Sequence, residues 1–324
     1  MKNTRIWLYT GAFMVLLFSA PAQAGPSFDQ WLSALRQEAG QKGISEATLN
    51  AALTGIAPIP RVIELDRKQP EGTMTFARYK EKVISQARID KGRKMLQQHR
   101  SQLEKTSAHY GVPPEVIVAL WGIETSYGEN TGGFDVVPAL ATLAHDGRRS
   151  TFFRSELLTA LQIIDEGHIS AAAMKGSWAG AMGQNQFMPS SFKSFAVDSN
   201  NDGKRDIWSS LPDVFASTAN YLSKSGWQSS QRWGRAVKIP EGFPESLTGL
   251  ETKKSLQQWH GMGITLKDGT ALPNDTNIQA SLVLPGGIGG PGFLVYDNYR
   301  VIMKWNKSTY FATSVGLLSD LIAQ

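Results

Sequence analysis

The chain has 324 residues, of which 41% are hydrophobic and 19% are charged. This is the composition of a globular protein, and it excludes a disordered, collagen-like or coiled-coil chain. The absence of cysteine excludes disulfides, thiolate catalysis, cysteine-based zinc sites and a lipid attached through cysteine. The formal charge of +5 falls short of a nucleic-acid-binding arm but suits an anionic polymer as partner.

The N-terminus has the three parts of an export signal. Lys2 and Arg5 precede an apolar run over residues 6–18, which is too short to span a bilayer comfortably. Ala22-Gln23-Ala24 then fits the small-x-small pattern of signal cleavage, so we expect cleavage before Gly25 and an exported, soluble protein. The alternative is an uncleaved anchor helix.

Helical patterns occupy most of the chain up to Gly226. We expect short helices within 28–57, a long basic helix over 76–106, and helices over 115–127, 149–166 and 210–224. The following segment is rich in Pro, Gly and Thr. There we predict a strand pair at 293–296 and 301–303, joined near Asp297, and a last helix over 309–322. These patterns indicate a mainly α (α+β) fold with a small β region.

Glu124 is the first candidate functional residue, and it lies near the end of the helix predicted over 115–127. The apolar stripe of this helix consists of Val116, Leu120, Ile123 and Tyr127. A carboxyl group beside that stripe is costly to ionise, so its pKa should rise. A raised pKa suits a general acid near neutral pH. The alternative is a partly exposed glutamate that forms an ion pair at the helix end.

The segment 175–192 places polar side chains among small and apolar residues. The polar residues are Ser177, Gln184, Asn185 and Gln186. Hydroxyl and amide groups suit hydrogen bonding to sugar hydroxyls and acetamides, and small residues allow a ligand to approach the backbone. The alternative is a tight helix crossing in which the polar residues are incidental. Nearby aromatic residues suit either a carbohydrate platform or a core.

A loop from Asp198 to Asp206 has the spacing of the first part of an EF-hand calcium loop. Its candidate ligands are Asp198, Asn200, Asp202, the Lys204 carbonyl and Asp206, with Asp213 as a late carboxylate. Position twelve is Ser209 instead of the bidentate glutamate, which favours weak affinity for Ca²⁺. The alternative is an Asx/Gly turn that caps a helix.

Three other kinds of site are not supported by the sequence. The segment 287–292 matches G-x-G-x-x-G, but it contains Pro291 and precedes an apolar strand instead of opening a helix, so it is a loop. The five histidines do not form an H-E-x-x-H zinc motif. No G-x-S-x-G elbow occurs, so an α/β-hydrolase is unsupported.

Taken together, the motifs resemble those of the lytic murein transglycosylase B family, in its exported form without a lipid anchor. The resemblance rests on the segments 123–128, 175–183, 186–191, 198–206, 219–222, 296–298 and 305–312. It implies a lysozyme-like fold, with an N-terminal helical region over 25–110, a catalytic core over 111–227 and a β-containing region with the final helix over 228–324. An EF-hand-like loop within the core is also implied.

The same resemblance implies a reaction. Members cleave the β-1,4 bond between N-acetylmuramic acid (MurNAc) and N-acetylglucosamine (GlcNAc) and leave a 1,6-anhydromuramoyl end without adding water. Glu124 would be the single acid and base. The residues expected to bind substrate are Ser177, Gln186, Phe187, Arg148, Arg149, Tyr221, Trp305 and Asn306. The rival functions are a hydrolytic muramidase, which would need a positioned water and a second carboxylate, and a non-catalytic peptidoglycan-binding protein.

The resemblance also implies partners and departures. We expect peptidoglycan strands and muropeptides as partners, together with other cell-wall enzymes, and no nucleic acid. The default state is a monomer in the periplasm without a membrane anchor, and no cofactor is needed beyond a structural Ca²⁺. Some members carry Tyr-Gly in place of Gln184-Asn185, and Tyr in place of Trp305 or Phe311. These departures put the fine subsite preferences in question.

Overall fold

A computed structural model describes residues 26–68, 74–275 and 277–324. The expected signal sequence and its cleavage point lie outside these residues. Within the described ranges, no helix combines the length and the apolar character that a membrane crossing requires.

The described residues up to 225 are mainly helical. Their helices are α1 (Phe28–Gln41), α2 (Glu46–Leu53), α3 (Pro60–Arg67), α4 (Phe76–Val83), α5 (Gln86–Gln98), α6 (Arg100–Tyr110), α7 (Pro114–Thr125), α8 (Val136–Asp146), α9 (Ser150–Asp165), α10 (Pro189–Phe195) and α11 (Leu211–Lys224). Two short strands, β1 (Phe134–Asp135) and β2 (Lys175–Gly176), pair antiparallel. The first residue of α3, α7 and α10 is proline. At this position a backbone N–H would have no acceptor within the helix, so its absence costs no hydrogen bond.

The rest of the chain adds a small sheet and three helices. The strands are β3 (Gly234–Lys238), β4 (Lys254–Ser255), β5 (Thr265–Leu266), β6 (Gln279–Val283) and β7 (Gly292–Val295), and the helices are α12 (Leu256–Gly261), α13 (Asp297–Trp305) and α14 (Thr309–Ile322). The strands pair antiparallel in the order β4-β6-β7-β3-β5. The predicted mainly α fold with a small β region is therefore confirmed.

The long basic helix predicted over 76–106 is wrong, because three helices occupy this segment. The first break is at Ser85, which has an extended backbone and whose hydroxyl accepts a hydrogen bond from Arg88 N at 3.2 Å as the N-cap of α5. The second break is at His99. The breaks allow α5 to pack against α7 and α14 while α6 packs against α7 and α11.

The predicted strand pair is also wrong in its second member. Residues 301–303 belong to α13, and β7 pairs with β3 and β6 instead. A run of three apolar residues cannot distinguish a strand from a buried helix turn. Asn298 stabilises the start of α13, because its buried amide donates to Gln228 O at 2.8 Å and accepts from Gln228 N at 2.8 Å.

The apolar side chains form three clusters that position the site. The helices α1–α3 share a cluster with α8–α10. A second cluster joins α4–α7 to α11, α13 and α14, and α7 supplies six of its buried residues. The third cluster lies between the sheet and α12. The division of the chain at residues 110 and 227 stays a prediction.

Candidate active site

Glu124 lies in the last turn of α7, which ends in an unusual backbone conformation. Ser126 and Tyr127 both have left-handed backbones, with φ of 52° and 63°. Such conformations cost non-glycine residues about 1–3 kcal/mol each. The tyrosine ring folds back over Gly122, where a Cβ would lie 2.6 Å from the ring. Because Gly122 leaves room for the Tyr127 ring, the motif around Glu124 ends the helix in one specific conformation.

Side chains of α5 stabilise this turn. The Tyr127 hydroxyl donates to Arg88 O at 2.7 Å, and the Arg88 guanidinium donates to Ser126 Oγ at 3.1 Å. Lys91 Nζ donates to Ser126 O at 3.2 Å. These bonds hold the residues that follow Glu124 in the strained conformation.

The carboxyl group of Glu124 has one direct polar partner among the described side chains. Trp305 Nε1 donates a hydrogen bond to Glu124 Oε1 at 2.8 Å. Burial raises the pKa of Glu124 to about 7, and the Trp305 hydrogen bond acts in the opposite direction because it favours the carboxylate. At neutral pH both protonation states are therefore populated, as a group that first gives and then takes a proton requires.

Three of the aromatic side chains predicted from sequence meet beside Glu124. The Trp305 ring centroid lies 4.7 Å from that of Tyr221 and 5.2 Å from that of Phe187. The Tyr221 hydroxyl donates to Lys304 O at 2.7 Å. Phe187 is buried, whereas Tyr221 and Trp305 are partly exposed. The loop after β2 and the helices α11 and α13 thus contribute one wall beside the carboxyl group.

Tyr79 of α4, which the sequence reasoning missed, lies near enough to Glu124 for the charge of that residue to affect its hydroxyl. Burial raises the pKa of the Tyr79 hydroxyl, and the negative charge of Glu124 raises it further, whereas Arg88 lowers it. Its ring lies 5.7 Å from that of Tyr310. No motif marks this tyrosine, since it sits in a segment that reads as a basic, solvated helix face.

Ser177 and Gln186 stabilise the loop between β2 and α10. Ser177 Oγ accepts from Ala181 N at 3.1 Å, and Gln186 Nε2 donates to Gly183 O at 2.9 Å and to Thr131 O at 3.0 Å. Gln186 itself has a left-handed backbone, with φ of 51°. Both side chains are partly exposed, and their predicted contact with substrate stays a prediction.

The two arginines predicted to bind substrate form ion pairs within the protein. Arg148 Nε donates to Asp66 Oδ2 at 2.7 Å, and Arg149 Nη2 donates to Asp66 Oδ1 at 2.5 Å. Both arginine side chains are about half exposed, at 51% and 42%. Asn306 is exposed, and its Oδ1 accepts from Ser308 N at 3.0 Å. A role for these residues in binding substrate stays a prediction.

The acidic residues that follow Glu124 in sequence, Glu129 and Asp135, form ion pairs with lysines. Glu129 pairs with Lys91 at 2.5 Å, and Asp135 pairs with Lys175. In the described part of the chain, neither contributes to the pKa of Glu124, which burial and Trp305 determine. The geometry therefore provides one carboxyl group where hydrolases of glycosidic bonds ordinarily use two.

The predicted metal loop lies between α10 and α11 and is closed by its own hydrogen bonds. Asp198 Oδ2 accepts from Gly203 N at 2.9 Å, and Asp202 Oδ1 accepts from Lys204 N at 2.9 Å. Asp213 is fully buried beneath the loop and accepts from Ser199 N and from Asp206 N, each at 2.8 Å. Burial raises the pKa of Asp213, and the charges of Asp198 and Asp202 raise it further.

The oxygen donors of this loop suit Ca²⁺, a hard cation. The carboxylates are nevertheless spread out, and no three acidic or histidine side chains among the described residues converge on one point that a metal ion could occupy. A site here would therefore depend on amide, carbonyl or water oxygens in addition to carboxylates. An EF-hand is not established by the structure.

Comparison with known proteins identifies the family. The family model for the transglycosylase SLT domain matches residues 27–320 of this chain. The chain belongs to this family. It is 34% identical over 264 residues to the membrane-bound lytic murein transglycosylase B of Escherichia coli K12, a match that covers 79% of this chain and 70% of that protein. The family confirms the resemblance seen in the sequence, and with it the assignment as a lytic transglycosylase, an enzyme.

Solved structures of transglycosylases share the fold. SltB3 of Pseudomonas aeruginosa, in complex with NAG-anhNAM-pentapeptide, superposes with a TM-score of 0.90 at 46% identity, over 92% of this chain and 80% of that chain. Slt35 of Escherichia coli, in complex with calcium, superposes with a TM-score of 0.77 at 32% identity, over 90% of this chain and 92% of that chain. The lysozyme-like fold expected from the resemblance is therefore confirmed.

Proposed function

We propose that this transglycosylase cleaves the MurNAc-β-1,4-GlcNAc bond of peptidoglycan with Glu124 as its only acid and base, and releases a 1,6-anhydromuramoyl end. The observation that carries the proposal is a single carboxyl group with a pKa of about 7, bonded to Trp305 and flanked by an aromatic wall. The complex of SltB3 with an anhydro product agrees with it.

In the first step, Glu124 protonates the glycosidic oxygen as the bond from C1 of MurNAc breaks. Burial keeps the carboxyl group protonated near neutral pH, so that a proton is available. The acetamido group of MurNAc supports the positive charge that develops at C1. GlcNAc then leaves with the proton on its 4-hydroxyl.

In the second step, the Glu124 carboxylate removes the proton from the C6 hydroxyl of the same MurNAc, and O6 attacks C1. The carboxyl group thereby regains its proton, and no water is consumed. The nucleophile is tethered to the reacting ring, which supplies a high effective concentration and explains why a second protein carboxylate is unnecessary. Trp305 keeps one carboxyl oxygen fixed through both steps.

Digestion of purified sacculi, followed by mass spectrometry of the products, tests this proposal. We expect anhydro ends from the wild type and none from Glu124→Gln, while Glu129→Gln, an exposed glutamate paired with Lys91, keeps the activity. Products heavier by one water, with reducing ends, would instead indicate a hydrolytic muramidase. Binding to sacculi without any product would indicate a non-catalytic binding protein.

We further propose an exported, periplasmic protein that carries Ca²⁺ weakly on the loop 198–206. The export pattern of residues 1–24 and a peptidoglycan substrate support the location. The oxygen spacing of the loop and the calcium complex of Slt35 support the ion. Asp198, Asn200, Asp202, the Lys204 carbonyl, Asp206 and Asp213 are the residues that would hold it, and its role would be to stabilise the loop.

Thermal unfolding tests the calcium proposal. Ca²⁺ at about one hundred times its Kd would stabilise the fold by about 2.7 kcal/mol, which raises the Tm by a few degrees. The variant Asp198→Asn should lose most of this shift, and Mg²⁺ should give little of it. A Tm that is the same in Ca²⁺ and in a chelator would remove the metal from the proposal.

A further inference from the structure

Gln184 lies between the loop 198–209 and the catalytic helix α7, and it uses all its polar groups there. Its side-chain Oε1 accepts from Trp121 Nε1 at 2.8 Å, and its backbone O accepts from Thr125 Oγ1 at 3.0 Å. Both partners belong to α7, and Thr125 directly follows Glu124. On one side, Gln184 thus holds the last turn of the helix that carries the acid.

The other side of Gln184 is bonded to the end of the loop. Its Nε2 donates to Trp208 O at 2.9 Å, and its backbone N donates to Ile207 O at 2.8 Å. These carbonyls belong to a turn that Asp206 caps, since Asp206 Oδ1 accepts from Trp208 N at 2.9 Å and from Ser209 N at 2.8 Å. One residue therefore connects the last turn of α7 to the turn at residues 206–209.

Packing leaves this amide little freedom. Gln184 is 9% exposed. A Cβ at Gly128, in the turn after Glu124, would overlap Gln184 Oε1, and a Cβ at Gly183 would lie 2.7 Å from Ile207 O. A buried amide whose oxygen and nitrogen are both hydrogen-bonded is costly to displace, because displacement leaves unpaired polar groups.

We propose that Gln184 is a positioning residue, which fixes the last turn of α7 against the loop 198–209 and so holds the Glu124 carboxyl group in its reactive orientation. We expect no contact with substrate, because the Gln184 side chain is buried and bonded to α7 and to the loop. The departure at Gln184-Asn185 from the Tyr-Gly of some family members, which put the subsite preferences in question, is thus a change in the support of the acid. This step depends on the proposed role of Glu124.

The adjacent residue provides a matched control. Asn185 is also a buried amide, 2% exposed, and it also makes two side-chain hydrogen bonds. Its Nδ2 donates to Val214 O at 2.8 Å and to Thr218 Oγ1 at 2.7 Å, and both partners lie on α11 instead of α7. The variants Gln184→Met and Asn185→Leu each remove two such bonds with little change in volume.

The test combines two readouts on the full-length mature protein. Hydrogen exchange of peptides from α7 should become faster in Gln184→Met and stay as in the wild type in Asn185→Leu. In sacculus digestion, Gln184→Met should lower kcat roughly tenfold or more with KM within about twofold, as expected when a reacting group is misplaced. Asn185→Leu should keep kcat within about twofold.

A third variant separates the side-chain bond of Gln184 to α7 from its side-chain bond to the loop. Gln184→Glu keeps an acceptor for Trp121 Nε1 but loses the donor to Trp208 O, so it should also speed exchange in α7 if the loop supports the helix. Unchanged exchange in both Gln184 variants, or equal effects of Gln184→Met and Asn185→Leu on exchange and kcat, would overturn the proposal. Inactive wild-type protein would contradict the proposed function alone, because exchange still reports the link.

Discussion

At the scale of single residues, the proton on Glu124 can be placed on one atom. The indole N–H of Trp305 can only donate, so Glu124 Oε1, which it contacts at 2.8 Å, must act as an acceptor in both protonation states. The carbonyl oxygen of a carboxylic acid accepts a hydrogen bond better than its hydroxyl oxygen, so the proton of the acid is favoured on Oε2. A tyrosine, which some family members carry at this position, can both donate and accept, so it would not impose this restriction.

The first prediction follows from this hydrogen bond. Trp305→Phe removes the N–H that favours the carboxylate, so the pKa of Glu124 should rise from about 7. We expect the alkaline limb of the pH profile of kcat/KM to move up by about one unit, since a hydrogen bond to a charged group is worth about 1.5–3 kcal/mol. The value of kcat should fall as well. Trp305→Tyr serves as the control that can still donate, and a limb that does not move in Trp305→Phe would contradict the assignment.

At the scale of elements, the end of α7 combines strain with close packing. Gly128 follows two left-handed residues and is itself left-handed, with φ of 84°. Its missing Cβ also leaves the space that the amide of Gln184 occupies. A side chain there would therefore be unfavourable for two independent reasons.

This combination leads to the second prediction, for which Gly43 offers a control. Gly43 has a similar φ of 89°, but a Cβ on it would meet no atom within 4 Å. Gly43→Ala should cost about 1–2 kcal/mol, from backbone conformation alone. Gly128→Ala should cost clearly more and should also lower kcat, because it displaces Gln184. Urea unfolding and sacculus digestion measure the two effects, and equal costs in both variants would mean that packing at Gly128 is unimportant.

The elements differ in how well the sequence predicts them. The helices α9, α11 and α14 agree with their predicted ranges to within about one residue. In each of them apolar residues recur at helical spacing over a long stretch, and the ends of that stretch are clear. The breaks at Ser85 and His99 were not predicted, because no proline or glycine marks them and the only local signal is a serine at the N-cap of α5. The apolar run 301–303 was too short to show whether its residues repeat with the period of a helix or of a strand.

The site shows the same division between local and long-range information. The raised pKa of Glu124 was predictable, since a carboxyl group beside an apolar stripe is a local signal, whereas its catalytic role came from the family resemblance and stays a prediction. Its contact with Trp305, 181 residues away, depends on the packing of α13 and is not encoded in any local pattern. Tyr79 and Gln184 acquire their positions in the same way, the former from the fold of α4 and the latter from bonds to two distant elements.

At the scale of the whole molecule, one buried carboxylate joins the N-terminal helices to the rest of the protein. Asp66 of α3 is 2% exposed and pairs with Arg148 and Arg149, at the junction of α8 and α9. Burial alone would raise the pKa of Asp66, but the hydrogen bonds and charges of the two arginines together outweigh it and lower the pKa. The stability that this carboxylate contributes is present above its unfolded-state pKa of about 3.8 and is lost as the pH falls through the lower folded-state value.

The last prediction concerns this junction. Asp66→Asn leaves both arginines without their carboxylate, and we expect a loss of about 1–3 kcal/mol in the free energy of unfolding at pH 7, less than for a fully buried pair because the arginines are partly exposed. Glu104→Gln removes an exposed ion pair with Arg100 and should cost less than about 0.5 kcal/mol. Urea unfolding at pH 7 and at pH 3 distinguishes the two, because the difference between Asp66→Asn and the wild type should shrink at the lower pH. If Asp66→Asn unfolds like the wild type at pH 7, the arginine pair is not needed to hold α3.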